Sequence, residues 1–321
     1  RKIINFKKLK KDSFVIEVAS NDGYLLKKFK KRNIPCLGIE PTLSTANKAR
    51  RIGINTETIF LDKSNAKKII KKYRKADLVI GNNVYAHVPD INNFTSSLEL
   101  LLKDDGIVTL EFPHLLNLIK LTQFDTIYHE HFSYLSLHTV KKIFNKHKLK
   151  IFKVEEINTH GGSLRVYGCK NNLLKKIDSK INDILKKEKY LGLQNINTYH
   201  KFKNRVQKIN NKLTKLLKDI KKSGKKTIAY GAAAKGNTLL NYCGIKKELI
   251  EAVIDISPSK QNKFMPTSHI PIYDVNFLKK NKLDYLLILP WNLKKEILNQ
   301  NKFLKLRGVK FIIPIPDVKI I

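Results

Sequence analysis

The sequence contains few cysteines and no long apolar run. Its three cysteines, Cys36, Cys169 and Cys243, lie far apart and form no C-x-x-C pair. This spacing excludes a disulfide framework or a zinc cluster within these residues and fits a reducing compartment, so we expect a cytoplasmic location. No apolar stretch approaches the roughly 18 residues that a membrane-spanning helix needs, and we therefore expect no membrane partner.

Acidic residues are scarce as well. The chain has 27 Asp and Glu against 63 Lys and Arg, which gives a formal net charge of +36. Such an excess suggests a polyanionic partner, but it is almost all lysine, which is weaker than arginine in bidentate phosphate recognition. The lysine runs, such as residues 7–11 and 27–32, recur along the whole chain and are typical of solvated helix faces. We therefore expect no nucleic-acid partner.

Methionine is almost absent, since Met265 is the only one and the chain begins with Arg1. We therefore expect the translated protein to begin upstream of Arg1. With 321 residues, 42% of them hydrophobic, the chain is long enough for about two domains with real cores. These values exclude a disordered or fibrous protein.

Strand-like and helix-like segments alternate in the first half of the chain. A continuous apolar run at residues 13–20 ends in a small-residue loop and is followed by a helical pattern. The same pattern recurs at residues 36–41, 76–83 and 105–113, and residues 149–157 and 163–169 predict a late antiparallel pair. This alternation predicts a mostly parallel sheet covered by helices on both faces, with ligands at the carboxyl ends of its strands.

The second half begins with two amphipathic helices. Apolar residues between positions 173 and 222 follow three-and-four spacing, among them Leu213, Leu216 and Ile220. A second series of strand-like segments follows at residues 226–236, 249–257, 282–292 and 309–316. We therefore predict two Rossmann-like α/β domains joined by helices, with a cleft between them. The expected boundaries are residues 1–170, a helical connector at 171–222, and residues 223–321.

The first strand-to-helix loop, ASNDGYL at residues 19–25, has one glycine where dinucleotide-binding proteins have G-x-G-x-x-G. Several glycines let the backbone approach a pyrophosphate, which S-adenosylmethionine lacks. Glu40 ends the second predicted strand, where an acid can accept both ribose hydroxyls. S-adenosylmethionine is therefore the favoured cofactor, although Glu40 as part of a simple turn and Asp22 as a helix cap are alternatives. The expected cofactor contacts are Glu17, Ser20, Asn21, Asp22, Gly23, Glu40, Asn82 and Asn83.

Histidines cluster near the predicted ligand edge. YHEH at residues 128–131 follows the fourth strand, and His87 follows the third. A metal site from His129, Glu130 and His131 is the alternative, but adjacent residues do not share one helix face as in H-E-x-x-H, and we expect no metal here. Several histidines at one edge favour acid/base chemistry near neutral pH.

The second half has one candidate phosphate site. Lys235 and Gly236 open a helix after a small-residue loop, a position suited to a phosphate at a helix N-terminus. The G-x-x-x-x-G-K-[ST] order of a Walker motif is absent. The alternative is that Gly231 and the following alanines only allow tight packing of this helix on its sheet.

Nine motifs of this sequence occur together in one family. In chain order they are SNDGYL, GIEPT, NNVYAHVPDINNF, FDTIYHEHFSYLSL, THGGSLRVY, YGAAAKGNTLLNYCGI, PIYD, LPWN and PIPDV. With them the chain, from about residue 13 to its end, resembles the S-adenosylmethionine-dependent sugar C-methyltransferase family, which methylates a ring carbon of nucleotide-linked 4-keto-deoxysugars. The resemblance implies a Rossmann-like class I methyltransferase domain followed by a second Rossmann-like domain.

The chain departs from the family pattern in three places. The family usually begins with a cysteine-rich zinc module, which these residues lack, so zinc is expected only in an upstream module. Ala19 stands where the family loop has a glycine, and residues 266–272 lack a turn glycine.

The resemblance also implies roles for individual residues. It makes His131 the general base, with Tyr128, Glu130 and His87 around the reacting sugar, and it implies that the second domain helps to hold the nucleotide. The implied partner is a nucleotide-diphosphate keto-sugar. Separately from the resemblance, we expect the protein to be a monomer. The expected substrate contacts are His160, Gly161, Arg165, Lys235, Asn237, Trp291 and Asn292.

Other functions remain open alternatives. A methyltransferase of another small molecule would share most of these features, and a nucleic-acid methyltransferase would use the positive charge. The latter should have a basic block interleaved with aromatics near Ser20 to Gly23, and the sequence has none there. A non-catalytic sugar-nucleotide-binding relative should have lost the histidines, which are present.

Overall fold

The computed structural model describes all residues, 1–321, and confirms the predicted α/β class. The chain forms two compact units. The first consists of Arg1–Leu116 and Glu130–Leu191, and the second of Asn117–His129 and Gly192–Ile321. The predicted connector is thus shared, because residues 171–191 belong to the first unit and residues 192–222 to the second.

Helices and strands alternate along most of the chain. The helices are α1 Lys2–Lys7, α2 Lys27–Lys30, α3 Leu43–Arg51, α4 Lys63–Lys72, α5 Ile91–Leu101, α6 Leu115–Lys120, α7 Leu137–Lys146, α8 Lys180–Leu191, α9 Ile196–Lys222, α10 Ala234–Tyr242, α11 Phe277–Lys280, α12 Lys294–Gln300 and α13 Lys302–Leu306. The strands are β1 Val15–Val18, β2 Cys36–Ile39, β3 Thr56–Glu57, β4 Ala76–Asn82, β5 Leu102–Pro113, β6 Leu149–Ile157, β7 Ser163–Lys170, β8 Thr227–Tyr230, β9 Val253–Ile254, β10 Lys263–Phe264, β11 Pro271–Tyr273, β12 Tyr285–Ile288, β13 Lys310–Ile313 and β14 Lys319–Ile320. Short 3₁₀ helices are Tyr85–His87, Phe124–Thr126, Thr159–Gly161 and Trp291–Leu293.

The first sheet has the strand order β3-β2-β1-β4-β5-β7-β6. The strands β1 to β5 are parallel, and β7 is antiparallel to both β5 and β6, as the late strand pair in the sequence predicts. The strand order reverses between β1 and β4: β2 and β3 are added on one side of β1, and β4 and β5 on the other. Ligands of open α/β sheets bind outside the carboxyl ends of the strands at such a point.

Both faces of the first sheet are buried under helices. On β1, Ile16 packs in one apolar cluster with Leu98 of α5, and Val15 packs in the opposite cluster with Phe29 of α2. Because strand side chains alternate between faces, Glu17 shares the face of Val15. The sequence therefore places a carboxyl group inside an apolar layer near the end of the inner strand β1.

The second sheet has the order β10-β11-β9-β8-β12-β13-β14. Its five inner strands are parallel. The edge strand β10 pairs antiparallel with β11, and the edge strand β14 pairs antiparallel with β13. Numbered within this unit, the five inner strands repeat the 3-2-1-4-5 order of the first sheet. The strand order here reverses between β8 and β12. The second Rossmann-like domain is thus confirmed.

The long helix α9 lies at the start of the larger segment of this second unit, Gly192–Ile321. Its buried stripe includes Leu213, Leu217 and Ile220, so the expectation that Leu216 continues the stripe is wrong by one position. Residues 213, 217 and 220 are four and three positions apart, which keeps them on one helix face. None of the helices of the chain combines the length and the apolar character that crossing a membrane requires.

Candidate active site

The loop after β1 is fixed by the acid that follows β2. Asn21 donates its backbone N–H to Glu40 Oε2 at 3.0 Å, and Thr42 donates to Glu40 Oε1 at 2.9 Å. The loop contains three left-handed residues, Ala19, Asn21 and Gly23, with φ of 55°, 54° and 79°. Glu40 is only 7% exposed, and an ionised carboxylate has acceptor sites beyond the two used here. The structure thus brings Glu40 to the loop of residues 20–23.

Buried polar atoms without partners lie at the ends of β1 and β4. They are Glu17 Oε2, Ser20 Oγ and Asn83 Oδ1. Burial, and secondarily the nearby charge of Asp22, raises the pKa of Glu17 to about 8, so this carboxyl group is mostly protonated at neutral pH. Buried polar groups in native proteins are normally paired, so such a group within reach of a cavity points to a ligand.

A cavity of about 590 Å³ opens beside this loop. Its lining contains three acids, Glu40, Asp62 and Asp90, and neither lysine nor arginine. Asp62 and Asp90 also cap the helices α4 and α5, accepting backbone N–H bonds at 2.7 and 2.9 Å. The remaining wall is mostly apolar. The volume of the cavity lies within the range that is usual for small-molecule sites. The lining residues are Val18, Ala19, Ile39, Glu40, Pro41, Ile59, Phe60, Leu61, Asp62, Asn83, Val84, His87, Val88, Pro89, Asp90, Asn93 and Phe94.

Two histidines meet at this cavity. His87 lines it, and the centroid of its ring lies 4.7 Å from that of His131. His87 Nδ1 lies 2.9 Å from the backbone oxygen of Glu130. A carbonyl oxygen only accepts, so Nδ1 carries the proton, and Nε2 of neutral His87 is left as an acceptor. The structure therefore brings together His87, Glu130 and His131 from the predicted catalytic set.

The segment after His131 is tied to the 3₁₀ helix that contains His87. Phe132 and Ser133 donate their backbone N–H groups to the carbonyl of Ala86 at 2.9 and 3.1 Å. These two hydrogen bonds hold the chain on either side of the two imidazoles in a fixed arrangement. Nowhere in the chain are three or more His, Cys, Asp or Glu side chains grouped so that they could hold a metal ion.

The predicted cofactor residues divide into three groups. Glu40 and Asn83 line the large cavity, while Asn82 lines a separate cavity of about 260 Å³ together with Arg165. The others, Glu17 and residues 20–23, form the loop after β1 or lie beneath it. The structure thus separates Asn82 from its neighbour Asn83, because successive residues at a strand end point to opposite faces.

Arg165 is engaged within the first sheet. Its guanidinium forms an ion pair with Glu111 Oε2 at 2.6 Å, directly across the β5–β7 pairing, and Thr159 Oγ1 donates to Glu111 Oε1 at 3.0 Å. His160 and Gly161 lie in the adjoining 3₁₀ helix, where His160 is exposed and left-handed with φ of 53°. His160 and Gly161 therefore lie in the β6–β7 connection, and Arg165 follows shortly after them in β7.

In the second unit, three predicted substrate residues form a cluster with an acid that the sequence did not single out. Trp291 Nε1 donates to Asp125 Oδ2 at 2.7 Å, and Lys235 donates to Asn292 Oδ1 at 2.9 Å. The Lys235 ammonium lies 4.9 Å from the centroid of the Trp291 ring. Burial raises the pKa of Asp125 to about 6, although Lys235 and Trp291 oppose this, and burial lowers the pKa of Lys235.

Two other predicted residues of this unit lie elsewhere. Asn237 is outside the Trp291 cluster and lines a cavity at the start of α10. Tyr128 is half-buried and is followed one residue later by the division between the two units. Asp125 could have been noticed in the sequence, because it is an acid directly after the apolar Phe124 and three positions before Tyr128.

Comparisons with known proteins agree on a reaction type. A family model described as the C-methyltransferase C-terminal domain matches residues 158–316, and one described as a methyltransferase domain matches residues 2–154. The chain is 32% identical over 307 residues to the C-methyltransferase NovU of Streptomyces niveus. This alignment covers 96% of the chain and 73% of NovU.

Solved methyltransferase structures resemble about half of the chain. One is an S-adenosylmethionine-dependent methyltransferase from Anabaena variabilis, with 13% identity, a TM-score of 0.44, and coverage of 53% of this chain and 83% of that one. Another is magnesium protoporphyrin IX methyltransferase from Synechocystis, with 13% identity, a TM-score of 0.40, and coverage of 53% and 76%. A third, from Listeria monocytogenes, has 11% identity, a TM-score of 0.39, and coverage of 52% and 97%.

Proposed function

The chain belongs to the C-methyltransferase family and is an S-adenosylmethionine-dependent methyltransferase, and from this premise we propose that it methylates the carbon next to the ketone of a nucleotide-linked 4-keto-deoxysugar. His131 is the proposed general base. The observation that supports this most directly is the pair of imidazoles, His87 and His131, with ring centroids 4.7 Å apart beside the large cavity. Transfer to a hydroxyl group requires no removal of a carbon-bound proton, whereas transfer to carbon does.

The large cavity fits the cofactor in size and charge. When bound, S-adenosylmethionine supplies an electrophilic methyl group on a sulfonium cation. Glu40 would accept the ribose hydroxyls, and Asn83 Oδ1, which is buried without a partner, would accept from the ammonium group. Three acids and no lysine or arginine in the lining favour a cationic ligand over a diphosphate.

The residues around the two imidazoles provide acid/base chemistry. A proton next to a ketone is acidic enough for a positioned imidazole only if the developing enolate oxygen is stabilised by donors. We propose that His131 removes this proton and that the electrons of the broken C–H bond form the enolate. The enolate carbon would then attack the methyl group in line. As the new C–C bond forms, the bond from sulfur to the methyl carbon would break and leave its electron pair on sulfur, so the placement of the reactants decides the rate.

His87 and Tyr128 are the proposed donors to the enolate oxygen. Because His87 Nδ1–H is bonded to the Glu130 carbonyl, His87 can donate from Nε2 only as an imidazolium. The Tyr128 hydroxyl, which the family resemblance adds to the set, is the second proposed donor. Glu130 binds His87 through its backbone carbonyl. Of the four proposed catalytic side chains, that of Glu130 is therefore the one whose replacement should affect the reaction least.

The substrate class can be tested by following a labelled methyl group. The full chain should be incubated with S-adenosylmethionine labelled with ¹³C in the methyl group and with nucleotide-linked 4-keto-deoxysugars. Mass spectrometry should show the gain of one methyl group, and NMR should show the label bonded to carbon next to the ketone. A label on oxygen would contradict carbon transfer. Methylation of the free keto-sugar as efficient as that of its nucleotide-linked form would contradict the nucleotide requirement.

A further inference from the structure

The second unit repeats the acid-and-loop arrangement of the first. In the first unit, Glu40 follows β2 and accepts hydrogen bonds from the loop after β1 and from the N–H group two residues further along the chain. In the second, Asp255 follows β9 and accepts from Ala232 N, in the loop after β8, and from Ser257 N, both at 2.8 Å. Both acids are 7% exposed. The same hydrogen-bond pattern therefore shapes the carboxyl edge of both sheets.

A second cavity opens at this edge, with a volume of about 410 Å³. It adjoins Asp255 through two of its lining residues, because Ala232 and Lys260 both bond to that carboxylate, Lys260 at 3.4 Å. Asn237 Oδ1 is buried and has no partner. The lining residues are Ala232, Ala233, Ala234, Asn237, Ser259, Lys260, Lys263, Phe264, Met265, Pro266 and Ile272.

The two cavities have opposite charge. Three acids and no lysine or arginine line the cavity of the first unit, whereas Lys260 and Lys263 and no acid line that of the second. The first therefore suits a cation and the second an anion. The wall of the second cavity also includes Phe264, an aromatic side chain that is 63% exposed and can stack on a nucleobase.

We propose that this second cavity binds the nucleoside diphosphate part of the substrate, with Lys260 and Lys263 on the diphosphate and Phe264 against the base. The proposal rests on the proposed function, because the nucleotide is that of the proposed substrate. It also gives the phosphate contact to residues that the sequence did not single out. Lys235, the sequence candidate, is bonded to Asn292 beside Trp291 and does not line this cavity.

Calorimetry on the full chain tests the site with free ligands. UDP, dTDP, GDP and inorganic diphosphate should be titrated into the wild type, into the double variant Lys260→Gln/Lys263→Gln and into a matched control, Lys279→Gln/Lys280→Gln. The control removes the same charge from exposed lysines of α11 in the same unit. Each lost charge-assisted hydrogen bond should weaken binding about tenfold or more, so the double variant should lose on the order of 10²-fold. The control should bind the nucleotides like the wild type.

A third variant distinguishes a nucleotide site from a site for free diphosphate. Phe264→Ala should lower the affinity for nucleoside diphosphates and leave the affinity for inorganic diphosphate unchanged. All variants should bind S-adenosylmethionine like the wild type and should unfold at the wild-type urea midpoint, which shows that both units are folded. The kinetic constant KM for the nucleotide-linked sugar should rise in the double variant.

Three results would overturn the proposal: no nucleoside diphosphate binds the wild type at millimolar concentration, the double variant binds like the wild type, or the control loses as much affinity. Equal loss in the control would mean that general positive charge, and not this cavity, attracts the nucleotide. The proposed function fails separately. A chain that binds nucleotides through Lys260 and Lys263 but methylates no keto-sugar carbon would retain this site and lose that function.

Discussion

Replacement of Glu17 by glutamine should remove a large pH dependence of stability. The pKa of Glu17 is raised from 4.5 to about 8 because the carboxyl group is buried in the apolar layer beside β1, with Asp22 nearby. Between these two values the folded state holds a proton that the unfolded state has released. Stability is therefore fully present below pH 4.5, falls as the pH rises through the window, and levels off above about 8.

The size of the effect follows from the two pKa values. At about 1.4 kcal/mol for each pH unit between them, ionisation of Glu17 costs up to about 5 kcal/mol of the free energy of unfolding. Glu17→Gln has nearly the same shape and cannot ionise. Urea unfolding at pH 5 and pH 8.5 should therefore show the wild type losing several kcal/mol more than the variant.

A surface substitution provides the control. Glu156→Gln changes an exposed carboxylate paired with Lys187 and should leave the wild-type pH dependence intact. Parallel stability profiles for Glu17→Gln and wild type would refute the assignment of a buried, protonated carboxyl group.

Three further substitutions test other parts of the structure. Glu40→Ala should raise the calorimetric dissociation constant for S-adenosylmethionine at least tenfold, since charge-assisted hydrogen bonds contribute about 1.5–3 kcal/mol each, and unchanged affinity would remove Glu40 from the site. Ala19→Gly should raise the free energy of unfolding by about 1 kcal/mol, because Ala19 is left-handed with φ of 55°. A variant less stable than the wild type would contradict this. Trp291→Phe should cost about 1–3 kcal/mol in urea unfolding, because it leaves buried Asp125 without its indole donor, and an unchanged midpoint would show that this bond contributes little.

The sheets and the cofactor loop could be predicted from local patterns. An apolar run followed by a small-residue loop and a helical pattern located β1 and the loop of residues 19–23. The contact between Glu40 and this loop follows from the parallel pairing of β1 with β2, because adjacent parallel strands end at the same edge. The contact between Glu40 and the loop could therefore be predicted from the strand pattern of the sequence.

Contacts between distant residues could not be predicted. Asp125 meets Trp291 across 166 residues of sequence, and contacts of this kind group Asn117–His129 with the second unit. The direction of Lys235 depends on the same packing, which turns its ammonium toward Asn292. Lys260 and Lys263 were hidden among many lysines, because only the folded chain shows which of them line a cavity.

The most direct test of the proposed chemistry is hydrogen exchange at the sugar carbon. In D₂O, with a non-methylating analogue of S-adenosylmethionine, the wild type should exchange the proton next to the ketone of the nucleotide-linked keto-sugar for deuterium. His131→Ala should lose both exchange and methylation by a factor of about 10² to 10⁴, as expected for removal of a general base, while His200→Ala, which removes an exposed histidine of α9, should behave like the wild type. Normal exchange in His131→Ala together with loss in His87→Ala would move the base to His87. Absence of exchange in a wild type that still methylates the sugar would contradict the enolate mechanism.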